Sequence, residues 1–193
     1  MEKTLAQYSS FDIIHQLLRT HYNKKMASNI ISALHASGSV LLSNRYLKTK
    51  TNFNSLKFFS TGYFLFDILN MLRNKRLKSP LQWGYVYHHL MGVYLLHYGD
   101  YKRTLAQIFL YAELSNLTTY PLYHYLHKTG NHKKKLVILK LAQKIVYTGI
   151  RIPLLTCLFY HFMRKEERPK TFVYPVFSLY LMGVIWSMKI LSQ

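Results

Sequence analysis

Residues 136–163 read LVILKLAQKIVYTGIRIPLLTCLFYHFM. The run exceeds the roughly 20 apolar residues that a helix needs to cross a bilayer. It nevertheless carries Lys140, Lys144, Tyr147 and Arg151 at i, i+4, i+7 and i+11, a spacing that marks one face of a helix. A basic stripe down an apolar helix is not a solvated face. Lys140 is placed to snorkel toward the boundary, whereas Arg151 sits deeper and needs a partner, and Pro153 follows it. Apolar runs with basic ends recur at residues 27–42, 56–72, 81–98, 105–126 and 172–191. The fold class expected is therefore all-α: a polytopic membrane protein of about six transmembrane helices around a polar interior.

Composition agrees once it is read by position. The mean hydropathy of −0.03 describes neither the apolar runs nor the charged linkers. The formal net charge is +19, from 26 Lys and Arg against 7 Asp and Glu. A nucleic-acid binder gathers such charge on one face or tail. Here it gathers at the ends of apolar runs, in Arg73, Lys75, Arg76 and Lys78, in Lys133, Lys134 and Lys135, and in Arg164, Lys165, Arg168 and Lys170. Clusters of that kind stop and orient transmembrane segments, so no nucleic-acid partner is expected. Lys and Arg are modestly more numerous on the side holding the two termini, which favours both in the cytosol. The linkers at 99–103 and 164–170 are short, as expected between antiparallel neighbours. The single cysteine, Cys157, excludes an internal disulfide and any cysteine-cluster metal site, and is expected to be a small packing residue. Residues 1–26 form a polar N-terminal segment without the apolar core of a cleavable signal, and the first spanning helix is expected to act as an uncleaved anchor. Residues 27–193 form one membrane domain.

Ionisable groups at bilayer depth are costly and mark functional candidates by default. In the first span Ser28, Ser32, His35 and Ser39 share a stripe, the serines suited to close helix packing. Tyr63, Asp67 and Asn70 share a face of the second span. A buried carboxylate such as Asp67 needs a cation or a wet cavity. The third span carries His88 and His89, about 100° apart around the axis. One of them is expected in the interior, as a base, nucleophile or ligand, with its neighbour supporting it or packing on the next helix. Glu113 and Asn116 share a face of the fourth span, with Tyr120 a turn further and Pro121 positioned to kink or end the helix. Asp67 and Glu113 are the acids available to Arg151. No span offers a zinc-binding HExxH spacing, and no metal is expected. Serine-nucleophile, phosphate-loop and dinucleotide signatures are also absent.

In order along the chain, Ser32-Ala33-Leu34-His35-Ala36, Gly62-Tyr63-Phe64-Leu65-Phe66-Asp67, His88-His89-Leu90-Met91-Gly92, Glu113-Leu114-Ser115-Asn116, Arg151, and Trp186 with Lys189 resemble the TLC-domain family, which includes the ceramide synthases. The resemblance covers about residues 27–192 and implies helices around an interior cavity open to lipid. In ceramide synthases the paired histidines belong to the region where an acyl group passes from coenzyme A to a sphingoid amine. By that match His88 or His89, with Glu113, would be catalytic, and acyl-coenzyme A would be a co-substrate rather than a bound cofactor. His35, Tyr63, Asp67, Asn116 and Arg151 would line the polar or lipid-binding interior. The synthase pattern continues with His-Asp and a second Asp three residues on; here Ala112-Glu113 and Asn116 stand at those places. That departure resembles the non-synthase branch, linked to membrane-lipid composition and trafficking. The expected function is thus membrane lipid homeostasis by binding or modifying lipid acyl chains. The alternatives are sphingoid N-acyl transfer and a translocation-associated or structural role. Membrane lipids are the expected partners, a homo-oligomer is compatible, and the endoplasmic reticulum or another endomembrane is the expected address.

Overall fold

The computed structural model describes residues 1–74, 77–128, 132–164 and 169–192. Lys75, Arg76, Lys165 and Arg168, members of the basic clusters above, lie outside the described residues. The described chain is helical: α1 (Glu2–His21), α2 (Lys24–Thr49), α3 (Phe53–Arg73), α4 (Pro80–His97), α5 (Lys102–Asn116), α6 (Thr119–His127), α7 (Lys133–Val146), a π-helical turn (Tyr147–Arg151), α8 (Ile152–Met163) and α9 (Lys170–Leu191).

Lys133–Met163 is one continuous rod of 31 residues, about 46 Å long at 1.5 Å per residue. With Lys170–Leu191 it is long and apolar enough to cross a membrane. In each, only 22% of the apolar window is buried inside the protein, whereas the core helix of a soluble protein hides most of its apolar surface. Val137, Ile138, Leu141 and Ile145 on α7, and Tyr174, Phe177, Leu181, Ile185 and Met188 on α9, form exposed stripes. The buried set, by contrast, includes His35, Ser39, Ser60, Asn70, His89, Glu113, Gln143 and Arg151. An apolar exterior around a polar interior is the pattern that lipid, not water, stabilises.

Two prolines shape the bundle. In an uninterrupted helix Pro121 could not donate to the carbonyl of Leu117, and its ring would collide with that oxygen. The fourth apolar segment accordingly breaks at Leu117–Thr118, where Leu117 N–H closes a tighter turn on Leu114 O at 3.3 Å. Pro153 stands in the same relation to the carbonyl of Gly149, and the chain takes it up as the π turn Tyr147–Arg151. At the end of the bundle where α4 and α8 finish and α5 and α9 begin, Phe172 packs on Tyr98, Tyr101 and Phe162, with ring centroids 4.3–5.3 Å apart. That aromatic plug closes one end.

The polar N-terminal segment proves to be mostly helix, docked on α3. Phe11 is buried among Phe59, Tyr63 and Phe66, and Asp12 pairs with Arg73 at 3.1 Å. Gly62 permits the contact, because a Cβ there would fall 2.6 Å from Gln7 Cβ and 2.9 Å from the Tyr8 backbone nitrogen. Cys157 is exposed on the α8 surface rather than packed inside. Gly62→Ala is therefore expected to lower stability in detergent by about 1–3 kcal/mol through overpacking. Gly84→Ala, whose added carbon would meet nothing nearer than Met182 at 3.7 Å, should hold or raise the unfolding midpoint in the same thermal melt, since alanine favours a helix interior.

Candidate functional site: a polar cavity inside the bundle

A cavity of about 420 Å³ occupies the half of the bundle opposite the aromatic plug. It gathers side chains from every rod except α1 and draws on both proline-shaped segments. Ser32 and His35 come from α2, Tyr63, Phe64 and Asp67 from α3, and Tyr85, His88 and His89 from α4. Glu113 and Asn116 come from α5, Thr119 and Tyr120 from α6, Gln143 and Tyr147 from α7 and the π turn, and Trp186 and Lys189 from α9.

The serine stripe of α2 forms a hydrogen-bonded seam. Tyr63 donates to Ser32 Oγ at 2.9 Å, Ser39 Oγ lies 3.0 Å from His35 Nε2 and 3.1 Å from Ser60 Oγ, and Asn70 donates to Ser28 at 3.2 Å. The His35 ring lies flat on Tyr63, centroids 3.9 Å apart and 9° from parallel. Both members of the histidine pair reach the cavity, each supported by a different neighbour. His89 stacks on Phe64 at 4.8 Å, with its Nδ1 3.5 Å from Asp67 Oδ2. His88 meets the Trp186 ring edge-on at 5.2 Å and makes no hydrogen bond, its Nδ1 being buried without a partner. Gly92 admits this packing, since a Cβ there would lie 2.7 Å from the Phe64 ring.

The partner of Arg151 differs from the sequence expectation. Its Nη1 donates to Asn116 Oδ1 at 3.0 Å and to Tyr147 Oη at 2.8 Å. Asn116 Nδ2 in turn donates to Glu113 Oε2 at 3.2 Å. The acid and the arginine are thus joined through one amide rather than in direct contact, and Asp67 faces His89 instead. The basic stripe also divides. Lys140 is exposed, and Lys144 turns to the carbonyl of Leu191 at the α9 C-terminus, 3.3 Å away. The face that continues to Arg151 runs through Gln143 and Tyr147, both buried.

Gln143, which donates to Thr119 Oγ1 at 3.0 Å, and Tyr85, stacked on Trp186 at 5.1 Å, went unnoticed in the sequence. A glutamine inside the apolar run 136–146 was the available signal, whereas Tyr85 is one of 17 tyrosines and carried none. Among the described residues no cluster of three or more His, Cys, Asp or Glu side chains stands in metal-binding geometry.

His88 also borders a second, apolar crevice of about 60 Å³, walled by Leu95, Ile108, Leu155, Val176 and Leu179. His88 thus lines both the polar cavity and the apolar crevice, inside a bundle whose surface is apolar. Fold and site together define an all-helical membrane protein with a polar interior. The family model of the TLC domain matches residues 18–192, and the chain belongs to the TLC-domain family. No curated protein and no solved structure matches it.

Asn116→Leu keeps the side-chain volume but leaves Arg151 and Glu113 without their shared amide. It is expected to lower stability by about 1–3 kcal/mol, read as an earlier thermal transition in detergent. An unchanged transition would show that the bridge contributes nothing to holding α5 against the π turn.

Proposed function

We propose that this TLC-domain protein acts in membrane lipid homeostasis by seating a lipid inside its helix bundle. The polar part of the lipid would lie in the cavity and its acyl chain would run toward the bilayer. In this reading the chain crosses an endomembrane, the endoplasmic reticulum by family resemblance, with about six helices, and membrane lipids are its partners.

The observation that carries the reading is the junction at His88. A polar cavity of about 420 Å³ and a crevice lined mostly by apolar side chains share that one residue. Binding sites are concave, with few polar groups placed to orient a mostly apolar ligand. An amphiphile has the matching division of polarity. Protein purified in mild detergent should release a stoichiometric lipid on denaturation, detected by mass spectrometry. Thr119→Phe, which fills the cavity, should reduce the bound lipid about tenfold, the consequence of losing roughly 1.4 kcal/mol. An empty wild-type protein, or a variant that retains its lipid, would contradict the reading.

Acyl transfer is the second reading, favoured by the unbonded imidazole of His88 at that junction. An imidazole nitrogen free of hydrogen bonds can attack the thioester carbonyl, expelling the coenzyme A thiolate, and then pass the acyl group to an amine with return of the free imidazole. Incubation with acyl-coenzyme A should then leave an acyl adduct on His88, absent in His88→Ala and retained in His89→Ala. A protein that holds lipid but forms no adduct would be a binder alone.

A further inference from the structure

Arg151 also opens into the apolar crevice, beside His88. The residue is 4% exposed. Both of its side-chain hydrogen bonds leave through Nη1, and its Nε is buried without an acceptor. Tyr147 and Trp186 lie 4.7 and 6.0 Å from the guanidinium carbon. Their ring faces offset part of its charge, but they offer Nε no lone pair. Among the described residues no carboxylate touches the guanidinium, and Glu113 acts on it only through space. Glu113 is held by Asn116, Asp12 pairs with Arg73, and Asp67 faces the imidazole of His89. A guanidinium is charged at any physiological pH, and burying such a charge without a carboxylate in contact is costly.

Arg151 and His88 both line this mostly apolar crevice, and each carries one buried nitrogen without a partner, Arg151 Nε and His88 Nδ1. Arginine only donates, and the group that best answers several converging donors is an acceptor-only anion, a carboxylate or phosphate. We infer that this end of the crevice receives the anionic group of a single-chain amphiphile, a fatty carboxylate or a monoacyl phosphate. Arg151 is its counter-ion and His88 a second donor. The first methylenes lie along Leu95, Leu155 and Val176. The crevice shares Thr104 and Leu158 with a groove of about 390 Å³ between α5 and α8, by which a longer chain leaves for the bilayer. The inference rests on the lipid-seating reading and refines it: the lipid is acidic, and its charged group sits at the Arg151 end of the crevice rather than in the larger polar cavity.

Photo-crosslinking with paired probes tests it on the full chain in detergent. A diazirine fatty acid is compared with the fatty alcohol of the same chain, and a diazirine monoacylglycerol phosphate with the matching monoacylglycerol. Each acidic probe that binds should label crevice residues about tenfold more than its neutral twin, the scale of a charge-assisted hydrogen bond. The pair with the larger ratio identifies carboxylate or phosphate. Arg151→Gln should bring the ratio near one, while Arg151→Lys, which keeps the charge, should retain part of it. Ala112→Phe fills the crevice with Arg151 in place, so it guards against a simple loss of fold and should abolish crevice labelling by the acidic probe. Equal labelling by acidic and neutral probes would overturn the charge selection and leave lipid seating intact. Absence of labelling anywhere inside the bundle would remove both.

Discussion

The amide of Asn116 offers one acceptor and two donors, and the structure uses both ends of it. Its oxygen takes a hydrogen bond from Arg151 and its nitrogen gives one to Glu113. A carboxylate and a guanidinium buried in a bilayer-facing bundle each need partners, because lipid supplies none. Joining them through a neutral amide keeps both in place while holding them apart. That separation leaves Arg151 with donors to spare. It also leaves Glu113 at the wall of the cavity instead of buried in an ion pair. An Asp at this position would place a carboxylate against Arg151 and offset its charge directly. The Glu113–Asn116 segment that departs from the synthase pattern is thus what gives the interior its particular electrostatics.

That arrangement depends on two interruptions in otherwise regular helices. The break before Pro121 brings Thr119 and Tyr120 to the same cavity as Glu113 and Asn116. The π turn before Pro153 buries Tyr147 and Arg151 together. π turns occur frequently at functional sites, since the extra residue redirects side chains without ending the rod. Here the redirection turns Arg151 inward while Lys140 and Lys144, earlier on the same rod, face elsewhere. Backbone irregularity at membrane depth is tolerated where protein or a wet cavity can satisfy the freed groups. Thr118 illustrates this, its hydroxyl donating to the carbonyl of Ser115 at the end of α5, 3.3 Å away.

The distribution of polarity connects the fold to the proposed role. One end is closed by the Phe172 aromatic cluster. The other holds a cavity where Asp67 and Glu113 converge with Lys189, and Arg151 stands behind the wall. In the proposed reading, the crevice that borders His88 takes the apolar part of an amphiphile.

Much of this was legible in the order of residues. Apolar runs with basic ends announced an all-helical membrane domain, because the cost of burying peptide groups and charges in lipid leaves few other arrangements. The polar residues interrupting those runs, His35, Tyr63, Asp67, His88, His89, Glu113 and Asn116, do line one cavity, since a costly group in an apolar segment turns toward whatever polar company exists. Helical periodicity assigns residues to faces but does not say which faces meet. It therefore left open that α1 docks on α3 through Gly62, and that His88 and His89 reach the same cavity from different supports. Nor could it show that Arg151 answers to Asn116 rather than to an acid. Those outcomes depend on a π turn that shifts the helical phase and on close approaches between distant segments, and only the packed structure decides them.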